Sequence, residues 1–330
     1  PWNFPINQAV RKISGAVAAG CSIILKGPED TPASCAELVR AFVDAGIPDG
    51  VINLVYGVPA DISNYLIPHP IIKKISFTGS TAVGKELASL AAQHMKLSTM
   101  ELGGHAPAIV FNDADLTAAL DVLTTQKFRN AGQVCVAPTR FLVQDELYEK
   151  FVDGYVKLAK EVKLGNGLDS STSMGPLAHD RRLAAVEELV QDAVDLGAKI
   201  HCGGQRPKNV GYFYPPTVLT GVPKSARMMN EEPFGPVIPI TSFKTVDEVL
   251  MEANRLPYGL SAYAYTASSE TADRVGREIE SGIIGINHHG QPAVETPFGG
   301  IQDSGQGKEN GSEGLESYMH SKLISHKTTP

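Results

Sequence analysis

Apolar residues along the 330 positions follow two alternating rhythms. Ser22-Ile23-Ile24-Leu25 is a short unbroken run and reads as a buried strand. From Ser34 to Ala45 the apolar positions recur at helical spacing, closed by Gly46 and then Pro48. Val51 to Val55 and Ile75 to Thr78 read as strands, and Val83 to His94 as a helix. Strand–helix–strand order repeated in this way predicts a parallel sheet with helices on both faces.

A second set follows in the same style. Ala108 to Phe111 is strand-like and Leu116 to Phe128 helical; Thr139 to Val143 is a strand and Leu147 to Val162 a long helix. A helix over Leu183 to Leu196 ends at Gly197. Strands are expected over Val237 to Phe243, Ser261 to Tyr265 and Ile283 to Ile286, with a helix over Glu270 to Ile279. Gly290 to Gly314 is rich in Gly, Pro and Ser and reads as loop. Tyr318 to Ile324 has the pattern of an edge strand, which needs a partner and is expected to find it on another subunit.

Composition narrows the class. A chain of this length favours two domains. It is 42% apolar and 20% charged, as ordinary globular proteins are. The net charge of −7 and the lack of any basic run argue against nucleic acid or an anionic membrane as partner. No apolar run is long enough to span a bilayer. Four cysteines (21, 35, 135 and 202) stand far apart without a CxxC pair. That spacing argues against a disulfide framework or a zinc site and for a reducing cytoplasm. The opening Pro1-Trp2-Asn3-Phe4-Pro5 is not laid out as a signal peptide and reads as the interior of a motif, so a preceding segment is expected.

Two segments carry candidate chemistry. Phe128-Arg129-Asn130-Ala131-Gly132-Gln133-Val134-Cys135 places a thiol behind a Gly-Gln corner at the end of a helix. Met100-Glu101-Leu102-Gly103-Gly104 places a carboxylate before a glycine turn. A thiolate that attacks a carbonyl carbon and a carboxylate that activates water divide a hard oxidation into two easier steps. Cys21, Cys35 and Cys202 sit in strand or helix patterns and read as inert.

Six segments in order resemble the NAD(P)-dependent aldehyde dehydrogenase family over the whole chain. They are Pro1-Trp2-Asn3-Phe4-Pro5, Phe77-Thr78-Gly79-Ser80-Thr81, Glu101-Leu102-Gly103-Gly104, Gly132-Gln133-Val134-Cys135, Glu231-Glu232-Pro233-Phe234-Gly235-Pro236 and Pro297-Phe298-Gly299-Gly300. The resemblance implies an α/β fold with an incomplete parallel-sheet cofactor domain (1–103), an α/β catalytic domain (104–305) and a return segment with an oligomerisation strand (306–330). It also implies that roughly a third of the family's usual chain, at the N-terminal side, is missing. Cys135 is then the nucleophile, Glu101 the base for thioester hydrolysis, and Asn3 with the Cys135 N–H the holders of the oxyanion.

The resemblance assigns cofactor contacts to Trp2, Lys26, Glu29, Gly79, Ser80, Gly84, Leu102, Glu232 and Phe234. Gly79 to Gly84 lies between a strand and a helix, where small residues and a helix N-terminus suit a pyrophosphate. Ser80 or Thr81 also reads as a plain helix cap. Lys26 and Glu29 are expected on the adenosine ribose, and a glutamate there repels a 2′-phosphate, so NAD is favoured with NADP possible. Gly27 departs from the proline usual in the family at that point.

The substrate end is drawn from Arg11 and Arg129, eight residues after Asn3 and six before Cys135. Succinate-semialdehyde dehydrogenases have arginines at both spacings, and two guanidinium groups suit a distal carboxylate. The reading is therefore a semialdehyde such as succinic semialdehyde, with a broad-specificity or aromatic aldehyde as alternative. His289 is a further substrate candidate, set against a plain reading of His288 and His289 as two partly exposed loop histidines. No metal is expected. A homodimer or homotetramer is implied. An inactive fragment and a cofactor-independent thiol esterase stay open as other classes.

Overall fold

The computed structural model describes residues 1–207, 210–290 and 293–328. Within the loop read over Gly290 to Gly314, positions 291 and 292 lie outside the described residues. The chain divides into two compact units, one made of Pro1–Glu101, Pro292–Phe298 and Gln306–Pro330, the other of Leu102–Gln291 and Gly299–Gly305.

The first unit opens with a helix, Pro5–Ala18, that the pattern reading passed over. Proline in the first turn presets φ and loses no helical hydrogen bond. Ala9, Ile13 and Ala16 then form its buried stripe. Ala9 and Ile13 pack with Leu25 and Cys35 in a small core. Strand Ile23–Lys26 pairs in parallel with Ile52–Val55, from Ile23↔Ile52 to Lys26↔Val55. Lys74–Thr78 pairs in parallel with Leu97–Glu101, ending at Thr78↔Glu101. The expected parallel pairing is present, but as separate ladders instead of one sheet. Leu97–Glu101 escaped the pattern because its sequence, Leu-Ser-Thr-Met-Glu, shows neither an apolar run nor strict alternation.

The second unit is built on seven strands. Their order across the sheet is Ile283–Ile286, Ser261–Tyr265, Ala106–Val110, Pro138–Gln144, Val237–Phe243, Thr217–Thr220 and Lys199–Cys202. All neighbours run parallel except the last pair, which is antiparallel. Side chains alternate between two apolar layers, as the pleat requires. Ala108, Val110, Phe141 and Val143 face the layer that holds helices Leu116–Phe128, Asp145–Glu161 and Asp180–Asp195. Ile109, Leu142, Ala262 and Ala264 face Val249 and Val275 of helices Val246–Ala253 and Ser269–Glu278. A sheet covered on both faces explains why its strands read as nearly continuous apolar runs.

One expectation needs correction. The Gly290 to Gly314 segment is not all loop: Ile301–Gln302 pairs antiparallel with Tyr258–Gly259, and Gly311 begins the helix Gly311–Glu316. No strand forms over Tyr318 to Ile324. That segment finds no ladder partner among the described residues, and Leu323 (93%) and Ile324 (78%) stand in solvent.

Candidate active site

Cys135 owes its position to an unusual run of backbone. Helix Leu116–Phe128 ends, and Asn130, Ala131 and Gly132 take positive φ of 50°, 54° and 74° in succession. Only glycine adopts that region freely, so Asn130 and Ala131 carry strain that surrounding contacts must hold. A Cβ added at Gly132 would stand 2.3 Å from the Gly235 carbonyl oxygen. Gln133 closes the corner: its backbone N–H and side-chain amide both donate to the Asn130 carbonyl at 3.0 Å, and its Oε1 accepts from the Ala178 N–H at 2.9 Å. The Tyr263 hydroxyl donates to the Val136 carbonyl at 2.6 Å. Gly104 packs against the same loop, since a Cβ there would lie 2.8 Å from the Cys135 carbonyl oxygen.

The result is a half-buried Cys135 on a pinned loop. The other thiols donate weakly to backbone carbonyls: Cys21 to Tyr318, Cys35 to Pro5 and Cys202 to Pro216. Of these only Cys35 is fully buried; Cys21 and Cys202 are half-buried, so the inert reading rests on their contacts more than on burial.

The second unit also holds Leu102, Arg129, Glu232, Phe234 and His289. Leu102 is buried and its N–H donates to the Ser304 carbonyl at 3.0 Å. Glu232 accepts from the Gly104 N–H at 3.1 Å. Burial pushes its carboxyl up to about 7, against the Gly104 N–H, Arg182 and Lys127, which favour the charge. Lys127 was not picked out from sequence. It is fully buried, and burial brings its ammonium down to about 7 despite Glu232 nearby. Phe234 also takes a positive φ, 45°.

His289 corrects the plain reading of that loop. It is only 9% exposed and stacks on Tyr263, ring centroids 4.6 Å apart and planes 19° apart. Stacking on an aromatic ring buries the imidazole and so explains the difference. Burial, with Arg129 and His288 adding to it, lowers its pKa to about 4, so the ring is neutral. Its Nδ1 finds no hydrogen-bond partner among the described residues. His288 is exposed, as expected, and accepts from the Gly290 N–H at 2.7 Å.

The first unit holds the remaining candidates. Glu101 ends its strand with 3% of its surface exposed and no hydrogen bond to either carboxylate oxygen among the described residues. Burial raises its pKa well above the usual range and Glu309 adds to this, against Lys12, Lys308 and Arg11. Lys12 and Glu309 were not foreseen. The Lys12 ammonium donates to Glu309 and to Thr78 at 2.6 Å each, and Thr78 is the ladder partner of Glu101. Arg11, one residue earlier, lies 4.0 Å over the Phe298 ring and 4.0 Å from Glu309. Asn3 and Trp2 occupy the turn before helix Pro5–Ala18.

Five further positions bear on a dinucleotide. Gly79 leaves no room for a side chain, because a Cβ would lie 2.3 Å from the Phe77 ring. Ser80 is the N-cap of helix Thr81–Gln93, yet its hydroxyl makes no capping bond, and Gly84 is buried in the first turn. Lys26 and Glu29 form an ion pair. Partial burial pushes the Glu29 carboxyl up, but the Lys26 hydrogen bond and its own backbone N–H outweigh this and hold it below its usual value. Glu29 borders an open groove of about 530 Å³, lined also by Pro32, Tyr56, Gly57, Val58 and Pro59. An apolar groove with one carboxylate on its rim suits an adenosine with a free ribose diol.

The aldehyde dehydrogenase family model matches residues 1–324. The chain belongs to the aldehyde dehydrogenase family. Such enzymes use NAD(P). The chain is 45% identical over 324 residues to a putative 4-(hydroxymethyl)benzenesulfonate dehydrogenase of Comamonas testosteroni, covering 98% of this chain and 67% of that one. It is 41% identical to the NADP(+) succinate-semialdehyde dehydrogenase of Escherichia coli, with the same coverage. A betaine aldehyde dehydrogenase from Staphylococcus aureus, solved in complex with NAD+, superposes with a TM-score of 0.93 at 36% identity, over 98% of this chain and 65% of that one. The chain thus spans about two thirds of the length of these relatives.

Proposed function

We propose that the protein oxidises an aldehyde bearing a distal anionic group to the carboxylic acid, through a covalent bond to Cys135 and with NAD preferred. The observation that carries this is the half-buried Cys135 on a loop of consecutive left-handed residues, pinned by Gly104, Gly235 and Tyr263. Strain of this kind collects at functional sites.

In this reading the Cys135 thiolate forms a C–S bond to the aldehyde carbon while the carbonyl π electrons move to oxygen. The Asn3 amide and the Cys135 N–H hold that oxyanion. When bound, NAD supplies the acceptor for the hydride that leaves the carbon. Cys135 is then a thioester. Glu101 takes a proton from water, the water oxygen bonds to the acyl carbon, and the C–S bond breaks to return the thiolate. The raised pKa of Glu101 makes it a stronger base than an ordinary carboxylate once ionised.

Arg129 and Arg11 are the proposed contacts for the anionic end. Succinic semialdehyde is the first substrate. A flat aryl aldehyde bearing an anion is the second, favoured by the His289–Tyr263 stack and by the name of the Comamonas testosteroni relative. We read the protein as a homodimer or homotetramer in a reducing cytoplasm, with Tyr318 to Ile324 pairing with a second subunit.

The test is kcat/KM with NAD for succinic semialdehyde, 4-sulfobenzaldehyde, benzaldehyde and propanal. An anionic aldehyde should exceed its neutral counterpart by about tenfold or more, the size of one charge-assisted contact. Equal values across the four would overturn the substrate class. Aldehyde oxidation that needs no nicotinamide cofactor would overturn the reaction.

A further inference from the structure

Glu29 discriminates against a 2′-phosphate only if its loop stays in place, and two neighbouring residues bear on that. Strands Ile23–Lys26 and Ile52–Val55 end together at Lys26↔Val55. The next residues, Gly27 and Tyr56, leave side by side, with the Gly27 N–H donating to the Val55 carbonyl at 3.1 Å. The Tyr56 ring fills the space a side chain at position 27 would take: an added Cβ would stand 2.3 Å from Cε1 and 2.8 Å from Cζ. The Tyr56 hydroxyl donates to the Pro32 carbonyl at the far end of the same loop. One ring therefore sits on the start of the Lys26-to-Pro32 loop and is tied to its finish, with Glu29 between the two.

We propose that Tyr56, seated on Gly27 and bonded to Pro32, is a positioning residue that pins the Glu29 carboxylate at the adenosine ribose and so enforces preference for NAD over NADP. This deepens the cofactor assignment proposed above and rests on it. Without the pin the loop is free to swing Glu29 away from Lys26, which stays at the end of its strand. A 2′-phosphate would then meet less negative charge and more room. The charge effect is attenuated by solvent, because the Glu29 side chain is 51% exposed, so a fixed position matters more than charge alone. The groove lining contains no cation to welcome a phosphate.

The experiment is a fluorescence titration of the protein with NADH and with NADPH, which reads binding apart from turnover. It compares wild type with Tyr56→Ala, Tyr56→Phe, Gly27→Ala, Glu29→Ser and the double variant Tyr56→Ala with Glu29→Ser. Wild type should favour NADH by about tenfold or more. Tyr56→Ala and Gly27→Ala should each cut that preference about fivefold, and Tyr56→Phe, which keeps the ring, distinctly less. In the Glu29→Ser background, Tyr56→Ala should change the ratio by less than about twofold, since no carboxylate remains to be held. An unchanged ratio in Tyr56→Ala overturns the proposal. So does an equal loss in both backgrounds, which would make Tyr56 a direct nucleotide contact. Wild type that binds neither nucleotide removes the cofactor assignment itself, a failure distinct from the other two.

Discussion

Replacing Glu101 by Gln should make the protein more stable and leave it unable to finish its reaction. The carboxyl is 3% exposed, and neither oxygen has a hydrogen bond among the described residues, so the amide forfeits no contact. Burial and Glu309 raise the folded pKa well above the ordinary value of 4.5. A raised carboxyl pKa means that the folded protein binds more protons than the unfolded chain above pH 4.5, so stability falls as pH rises. The loss begins near the unfolded pKa and levels off above the folded one. By pH 7 the loss cannot exceed about 1.4 kcal/mol for each pH unit above the unfolded value, the limit reached if the folded carboxyl stays protonated throughout. Urea unfolding of wild type and Glu101→Gln across pH 4 to 8 measures it directly. The two should coincide near pH 4, and the variant should gain steadily above that. In rapid mixing the variant should release about one NADH per site and then stall as the thioester accumulates. A variant less stable than wild type at pH 7, or a stability difference that does not change with pH, would refute the reasoning about Glu101.

Other substitutions test the remaining parts. Gly132→Ala meets both a φ of 74° and the Gly235 carbonyl, and should cost about 2–4 kcal/mol of stability together with most activity, read by urea midpoint and kcat. Tyr263→Phe removes the bond to the Val136 carbonyl and should lower kcat about five- to twentyfold with a smaller change in KM, reflecting a looser Cys135 loop. Arg129→Ala should raise KM for succinic semialdehyde about tenfold or more and leave propanal unchanged. Arg11→Ala should show the same selectivity with some loss of thermal stability, because its guanidinium also lies over Phe298. Equal losses for both aldehydes would remove either arginine from the substrate site.

Much of the second unit was legible because its strands are buried on both faces and read as apolar runs between helices. The Cys135 loop was legible as a motif but not as a conformation. The left-handed run from Asn130 to Gly132 has no periodic signal, because part of what holds the corner comes from Gly235, against Gly132, and Ala178, bonded to Gln133, far along the chain. The Lys12–Glu309 pair joins positions 297 apart, and no periodicity reports such a contact. His289 looked like a loop residue because its burial depends on Tyr263, which lies in a strand. Gly27 stood out only as a departure; Tyr56 explains it, since the ring needs the space.

The central claim is a covalent acyl bond to one sulfur, and an acid quench during the first turnover tests it most directly. Wild type and Glu101→Gln are mixed with NAD and succinic semialdehyde, stopped in acid, digested and weighed by mass spectrometry. The peptide that contains Cys135 should gain the mass of the succinyl thioester, more fully in Glu101→Gln. NADH formation with Cys135 unmodified throughout, or with the acyl group on Cys21, Cys35 or Cys202, would contradict it.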